Sequence, residues 1–236
     1  MTRDPEVPDP FQRVYAEHAA LYDELVRRED APGNLLPALE ALHPLAASRV
    51  VEFGAGTGRL TRLLAPRVGQ LRAFDGAPAM LEVARAALAP WPTVSLELAD
   101  NARLPVATGW ADLAIEGWSF GHAVGWFPDR WRQVVTGYLA EMERVLRPGG
   151  CAILLETLGT GSEIPRPPNG GLGQLYELFE ARGFRRAWLR TDYRFASEAE
   201  ARRLTGFFFN REFRFLPGPG GVALPECTGL WSRRTL

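Results

Sequence analysis

The stretch Val50-Val51-Glu52-Phe53-Gly54-Ala55-Gly56-Thr57-Gly58-Arg59-Leu60-Thr61 constrains the fold more than any other in the chain. A short apolar run enters three closely spaced glycines and then a helical pattern that begins near Arg59. Glycine at Gly54, Gly56 and Gly58 permits backbone angles closed to other residues, and lets a ligand approach the main chain without meeting a Cβ. A glycine turn also serves purely steric ends, so the motif needs support from its surroundings. Glu52 supplies some, because a carboxylate at the end of an apolar strand is costly to bury unless a donor or cation meets it.

A second apolar run, Leu71-Arg72-Ala73-Phe74-Asp75, ends in an acid 17 residues past Gly58. That order sets a carboxylate beside the glycine loop, where it can accept hydrogen bonds from a ribose diol. The G-x-G-x-G spacing is one residue shorter than the dinucleotide fingerprint. Trp91 to Leu98 reads as a third strand, with Asp100 at its end as Asp75 is at the end of the second. Ala111 to Ile115 reads as a fourth, and Glu116-Gly117-Trp118-Ser119-Phe120-Gly121-His122 follows at the carboxyl end, where open α/β sheets bind ligands.

These stretches, with Met80-Leu81 and Arg144-Val145-Leu146-Arg147-Pro148-Gly149-Gly150, resemble in sequence and order the class I S-adenosylmethionine-dependent methyltransferases. The resemblance runs from about Phe11 to Arg233. It implies a Rossmann-like α/β fold: a seven-stranded, mostly parallel sheet with helices on both faces, its last strand antiparallel between the fifth and sixth. It also implies an N-terminal helical cap over residues 1–48, a cofactor-binding domain over 49–236, and S-adenosyl-L-methionine as cofactor. On the family pattern the cofactor contacts fall on Tyr22, Glu52, Gly54, Gly56, Gly58, Asp75, Gly76, Met80, Asp100, Asn101 and Glu116, with Asp100 accepting from the adenine amino group and the Asn101 backbone meeting a ring nitrogen. Met80 as a gap filler and Asp100 or Asn101 as turn caps are the rival explanations.

Toward the N-terminus, Phe11, Val14, Tyr15, His18, Leu21, Tyr22 and Leu25 recur at steps of three and four, one face of an amphipathic helix. By the resemblance this helix closes over the cofactor, turning Tyr15 and His18 toward the substrate with Trp118. A second helix is expected from Leu35 to Ala47, past the turn-rich Asp30 to Asn34. Met1 to Pro10 is proline-rich and expected to be poorly ordered. Later elements are a helix from Pro128 to Leu146, a strand from Cys151 to Glu156, a glycine- and proline-rich loop from Gly159 to Gly173, and a helix to Ala181. A strand from Trp188 to Tyr193, a capping box at Ser197 to Glu200 and a last strand from Cys227 to Arg233 complete the series.

Composition narrows the chemistry. All 27 basic residues are arginine, so neither a lysine Schiff base nor a lysine general base is available. Net charge of −1 gives no global pull toward nucleic acid or an anionic membrane, although nine arginines against four acids between Arg182 and Arg214 form a local excess. No secretory signal or membrane span is evident, and a cytoplasmic protein acting on a small molecule is expected. Cys151 and Cys227 suggest neither a disulfide framework nor a metal site, and no metal is expected. Methyl transfer from a sulfonium needs alignment first and a base only for a protonated acceptor; His122 is the best candidate base. A nicotinamide dehydrogenase and a cofactor-holding regulatory module are the alternative functions.

Overall fold

The computed structural model describes residues 10–235. The expected disorder of residues 1–9 lies outside the described residues, and Pro10 opens the first helix. The single helix expected from Phe11 to Leu25 is two, α1 (Pro10–Glu17) and α2 (Ala19–Val26), hinged at His18 with φ −132° and ψ 28°. Hydrogen bonding continues through the hinge: His18 N–H donates to the Val14 carbonyl at 2.9 Å and Tyr22 N–H to the His18 carbonyl at 3.0 Å. α3 (Leu35–Leu42) stops well before Ala47 because His43 precedes Pro44 and is extended, with φ −150° and ψ 131°.

Strands and helices then alternate as β1 (Arg49–Phe53), α4 (Arg59–Leu64), β2 (Gln70–Asp75), α5 (Pro78–Leu88), β3 (Val94–Leu98), β4 (Ala111–Gly117), α6 (His122–Trp126), α7 (Trp131–Val145), β5 (Leu146–Thr160) and α8 (Gly170–Ala181). After them come β6 (Arg185–Arg190), β7 (Tyr193–Phe195), α9 (Glu198–Phe209), β8 (Leu216–Gly218), β9 (Gly221–Leu224) and β10 (Glu226–Arg234). The main sheet has seven strands in the order β3-β2-β1-β4-β5-β10-β6. β10 runs antiparallel to both neighbours and the remaining pairs are parallel, the Rossmann-like arrangement expected.

Several boundaries differ from expectation for local reasons. The strand expected from Trp188 to Tyr193 divides, with β6 joining the main sheet and β7 a separate sheet of order β7-β9-β8. Asp192 makes the division: its carboxylate accepts from the Arg190 guanidinium at 2.8 and 2.9 Å and from Glu226 N–H at 3.0 Å, turning the chain out of line. The helix expected from Pro128 starts only at Trp131, behind the short α6. β5 takes up the chain at Leu146, directly after α7 and ahead of the expected Cys151, with Gly149 inside it at φ 75°. Ser197 caps α9 as expected, accepting from Glu200 N–H at 3.2 Å, but the Glu200 carboxylate reaches Ala196 N–H at 2.7 Å instead of closing the box on Ser197.

Alternating strand residues feed two cores. Val51, Phe53, Ala114 and Leu154 pack on the α7 and α8 side, and Val50, Ile115 and Leu155 on the α3 and α4 side. A third cluster joins Leu25 of α2 to Phe195, Leu204 and Leu224 of β7, α9 and β9. Residues 10–42 therefore share cores with both the main sheet and the small one. Cys151 faces Arg234 and Cys227 faces Arg190 in the ladders of β10, at opposite ends of that strand, and both cysteines are buried and free. Among the described residues no helix is long and apolar enough to cross a membrane.

Candidate functional site

At the carboxyl ends of β1, β2 and β4 lies a cavity of about 710 Å³, roofed by α1 and α2. Its floor is the glycine loop, where Gly54, Gly56 and Gly58 have φ of 66°, 56° and 87°. A Cβ added at Gly56 would meet nothing within 4 Å, so the backbone there is open to the cavity. Gly58 is different: it is absent from the lining, and a Cβ there would press on Leu88 of α5 at 3.0 Å. Its glycine serves the packing of α4 on α5.

Glu52, Asp75 and Asp100 all line this one cavity. Asp75 Oδ2 accepts from Gly56 N–H at 2.7 Å and Oδ1 from Ala77 N–H at 2.8 Å, so the carboxylate ties the loop to the start of α5. Burial pushes its pKa up, against the lowering by these amides. Glu52 is 1 % exposed, and its Oε2 has no hydrogen-bond partner among the described residues. Burial pushes the Glu52 carboxyl up to about 8, with Thr61 pulling down and Asp75 pushing further up. Asp100 Oδ1 accepts from Ala102 N–H at 2.7 Å, so it both caps a turn and faces the cavity. Gly76, Met80 and Asn101 line it as well, Met80 almost wholly buried and Asn101 donating to Ser119 Oγ at 3.1 Å.

At the other end the lining is aromatic: Tyr15, Tyr22, Trp118, His122 and Trp126. The Tyr15 hydroxyl and His122 Nε2 are hydrogen-bonded at 2.7 Å, and the His122 ring stacks on Trp126 with centroids 4.8 Å apart and planes 10° off parallel. Burial pushes the Tyr22 hydroxyl up to about 12, against the pull of Arg59.

Besides Gly58, two expected site residues lie elsewhere. His18, at the hinge between α1 and α2, is outside the lining; it stands 3.9 Å from the Glu17 carboxylate and edge-on to Phe207 at 5.5 Å. Glu116 is fully buried and also outside the lining, its Oε2 accepting from Ser119 N–H at 3.1 Å and Phe120 N–H at 3.3 Å. Conversely, Arg59 was not singled out from sequence and lines the cavity. It is ion-paired to Glu29, and its guanidinium carbon lies 3.2 Å from the Trp118 ring centroid. Its place directly after Gly58, at a helix start beside a ligand loop, was the available signal. The arginine-rich run meets carboxylates on the surface, as in Arg202 with Glu198 at 2.6 Å and Arg203 with Glu24. Phe208 and Phe209 join the α2 and α9 core. No group of three or more potential metal-ligating side chains occurs among the described residues.

An orphaned buried carboxylate oxygen, an open glycine backbone and a second carboxylate on the rim suit a ligand that offers donors and cationic groups and lies close to the main chain. Comparison with known proteins agrees. Residues 50–150 match the methyltransferase domain family. An uncharacterized methyltransferase of Mycobacterium tuberculosis is 37% identical over 113 residues, 48% of this chain and 41% of that one. The malonyl-[acyl-carrier protein] O-methyltransferase of Serratia marcescens is 30% identical over 149 residues, 63% of this chain and 52% of its own. The chain thus spans about half the length of the curated relatives it matches. Among solved structures, an S-adenosylmethionine-dependent methyltransferase from Aquifex aeolicus superimposes with TM-score 0.56 at 14% identity, over 96% of this chain and 98% of that one. Phosphoethanolamine N-methyltransferase 2 of Haemonchus contortus, solved with S-adenosylhomocysteine, superimposes with TM-score 0.61 at 14% identity, over 98% of this chain and 61% of its own. Residues 50–150 are a methyltransferase domain, and the fold around them is one shared with S-adenosylmethionine-dependent methyltransferases.

Proposed function

We propose that this chain transfers a methyl group from S-adenosylmethionine to a small-molecule acceptor. The observation that carries the reading is the convergence of Glu52, Asp75 and Asp100, distant in sequence, on one cavity with the open Gly56 backbone beneath them. Asp75 and Asp100 are the candidate partners of the ribose diol and the adenine amino group, and Glu52 of a cationic or hydrogen-donating group. When bound, S-adenosylmethionine supplies an electrophilic methyl already activated by the positive sulfonium. The protein's part is then to align the acceptor and exclude water, which supplies much of the acceleration in such a displacement.

Aromatic rings from α1, α2 and α6 close the far end of the cavity, which favours an apolar or aromatic acceptor. His122 is placed to hold or take a proton from that acceptor, with Tyr15 fixing its ring through Nε2. The near-neutral net charge and the paired surface arginines support a small molecule over nucleic acid. A cytoplasmic setting goes with this reading, supported by two buried, unpaired cysteines. Isothermal titration with S-adenosylmethionine and S-adenosylhomocysteine tests the cofactor half; no binding by folded protein sinks it. Mass spectrometry of cell extract incubated with the protein and isotopically labelled cofactor tests the acceptor half, and label appearing only in macromolecules overturns it.

A further inference from the structure

The segment Gly117 to His122 carries Trp118 and His122 at the acceptor end, and its backbone is strained. Trp118 has φ 56°, a left-handed conformation that a bulky side chain adopts only where its surroundings impose it. The imposing contacts fall on four successive amides. Trp118 N–H donates to the Leu155 carbonyl at 2.7 Å. Ser119 and Phe120 N–H both donate to Glu116 Oε2, and Gly121 N–H donates to Glu156 Oε1 at 2.6 Å.

Strand register places the two carboxyls together. β4 and β5 run parallel with Glu116 opposite Leu154, and Glu156, two residues on, projects from the same face as Leu154. A Cβ added at Gly121 would lie 2.7 Å from Glu156 Oε2, so glycine is what lets the loop settle on this carboxyl. Glu116 is fully buried, Glu156 is 3 % exposed, and Glu116 Oε1 has no hydrogen-bond partner among the described residues. Two buried carboxyls serving only backbone amides are expensive, and neither lines the cavity.

We infer that Glu116 and Glu156 are positioning residues: a facing carboxyl pair that clamps the amides of residues 119–121 and so holds Trp118 and His122 at the acceptor end of the cavity. The word positioning rests on the function proposed above; the clamp itself does not. Burial pushes both carboxyls up, Glu156 to about 8, and Glu156 pushes Glu116 higher still. The pair therefore holds at least one proton near neutrality, and its oxygens accept from the loop amides in that state. Tyr176 of α8 feels both carboxyls and also Glu226 of β10, and its hydroxyl donates to the Thr157 carbonyl at 2.6 Å.

The test is amide hydrogen exchange of Ser119, Phe120 and Gly121 in the full chain without cofactor, corrected for intrinsic base catalysis. In the wild type all three amides are expected to exchange at least about tenfold more slowly than unstructured amides, because each is held in a hydrogen bond. Glu156→Gln keeps a neutral side-chain oxygen that accepts from Gly121, so its protection stays close to that of the wild type. Glu156→Ala loses about tenfold of the protection at Gly121. Wild-type amides that exchange like unstructured ones, or a Glu156→Ala variant as protected as the wild type, overturn the proposal. If Glu156→Ala does not fold, the wild type and Glu156→Gln decide. A clamp that behaves as expected in a protein that fails to bind S-adenosylhomocysteine removes the proposed function and leaves the clamp standing.

Discussion

Asp75 grips Gly56: the carboxylate that faces the cavity is also the one that holds the glycine loop, its Oδ2 accepting from Gly56 N–H at 2.7 Å while Oδ1 accepts from Ala77. A ribose diol would add donors to oxygens already fixed in place. Asp75→Ala removes the ribose partner and leaves two amides without an acceptor. Charge-assisted hydrogen bonds are worth about 1.5–3 kcal/mol each, so S-adenosylhomocysteine affinity should fall on the order of 100-fold. Isothermal titration reads this, and an unchanged dissociation constant removes Asp75 from the site.

Glu52 makes affinity depend on pH. Its carboxyl titrates near 8 in the folded protein, above the ordinary carboxylate value. In the unliganded protein the stability linked to this proton is fully present below about pH 4.5 and is lost progressively as pH rises toward 8. A ligand that needs the carboxylate must displace the proton. Affinity for S-adenosylhomocysteine should therefore rise about tenfold from about pH 6.5 to about pH 8 and then level off, with Glu52→Gln flat across the range. A wild-type affinity that does not change over this window shows that Glu52 is not the ligand's partner.

The two glutamates near the ends of β1 and β4 show how far a sequence carries. Both read as acids closing apolar strands, and both looked like cofactor ligands. The register aligns Phe53 with Glu116 and Glu52 with Ile115, so the two carboxyls leave the sheet on opposite faces. One faces the cavity and the other sits beneath a loop. Strand-to-strand offset is not written in either strand alone. For the same reason Arg59 stayed hidden, because its partner Glu29 comes thirty residues earlier and meets it only in the folded chain. The main sheet was legible, since apolar runs, glycine turns and terminal acids recur in order. The small sheet was not: β7 and β8 have three residues each, too few for alternation to register.

The Tyr15 and His122 contact separates chemistry from binding. With an acceptor in hand, His122→Ala should lower kcat by about 100-fold or more if the imidazole moves a proton, the usual scale of general base catalysis. Tyr15→Phe keeps the ring and removes the hydroxyl that meets Nε2 at 2.7 Å, so its loss should be smaller, about tenfold. S-adenosylhomocysteine affinity should stay near wild type in the histidine variant. Full turnover by His122→Ala assigns the residue to the wall of the site and nothing more.

Adding a methyl group at two neighbouring glycines should have opposite consequences. At Gly56, φ is 56° and a Cβ meets no atom within 4 Å, so Gly56→Ala carries a left-handed backbone cost of about 1–2 kcal/mol and folds. Its methyl enters the space where a ligand would lie on the main chain, and cofactor binding should be lost. At Gly54, φ is 66° and a Cβ would lie 2.1 Å from Ser119 Oγ and 2.4 Å from Ser119 Cβ. Ser119 cannot easily withdraw, because its amide is held by Glu116 and its hydroxyl accepts from Asn101. Gly54→Ala should therefore lower the melting temperature by clearly more than Gly56→Ala. Thermal denaturation and cofactor titration on the two variants check the pair, and a Gly56→Ala protein that binds S-adenosylhomocysteine like wild type would show that the ligand does not lie against this loop.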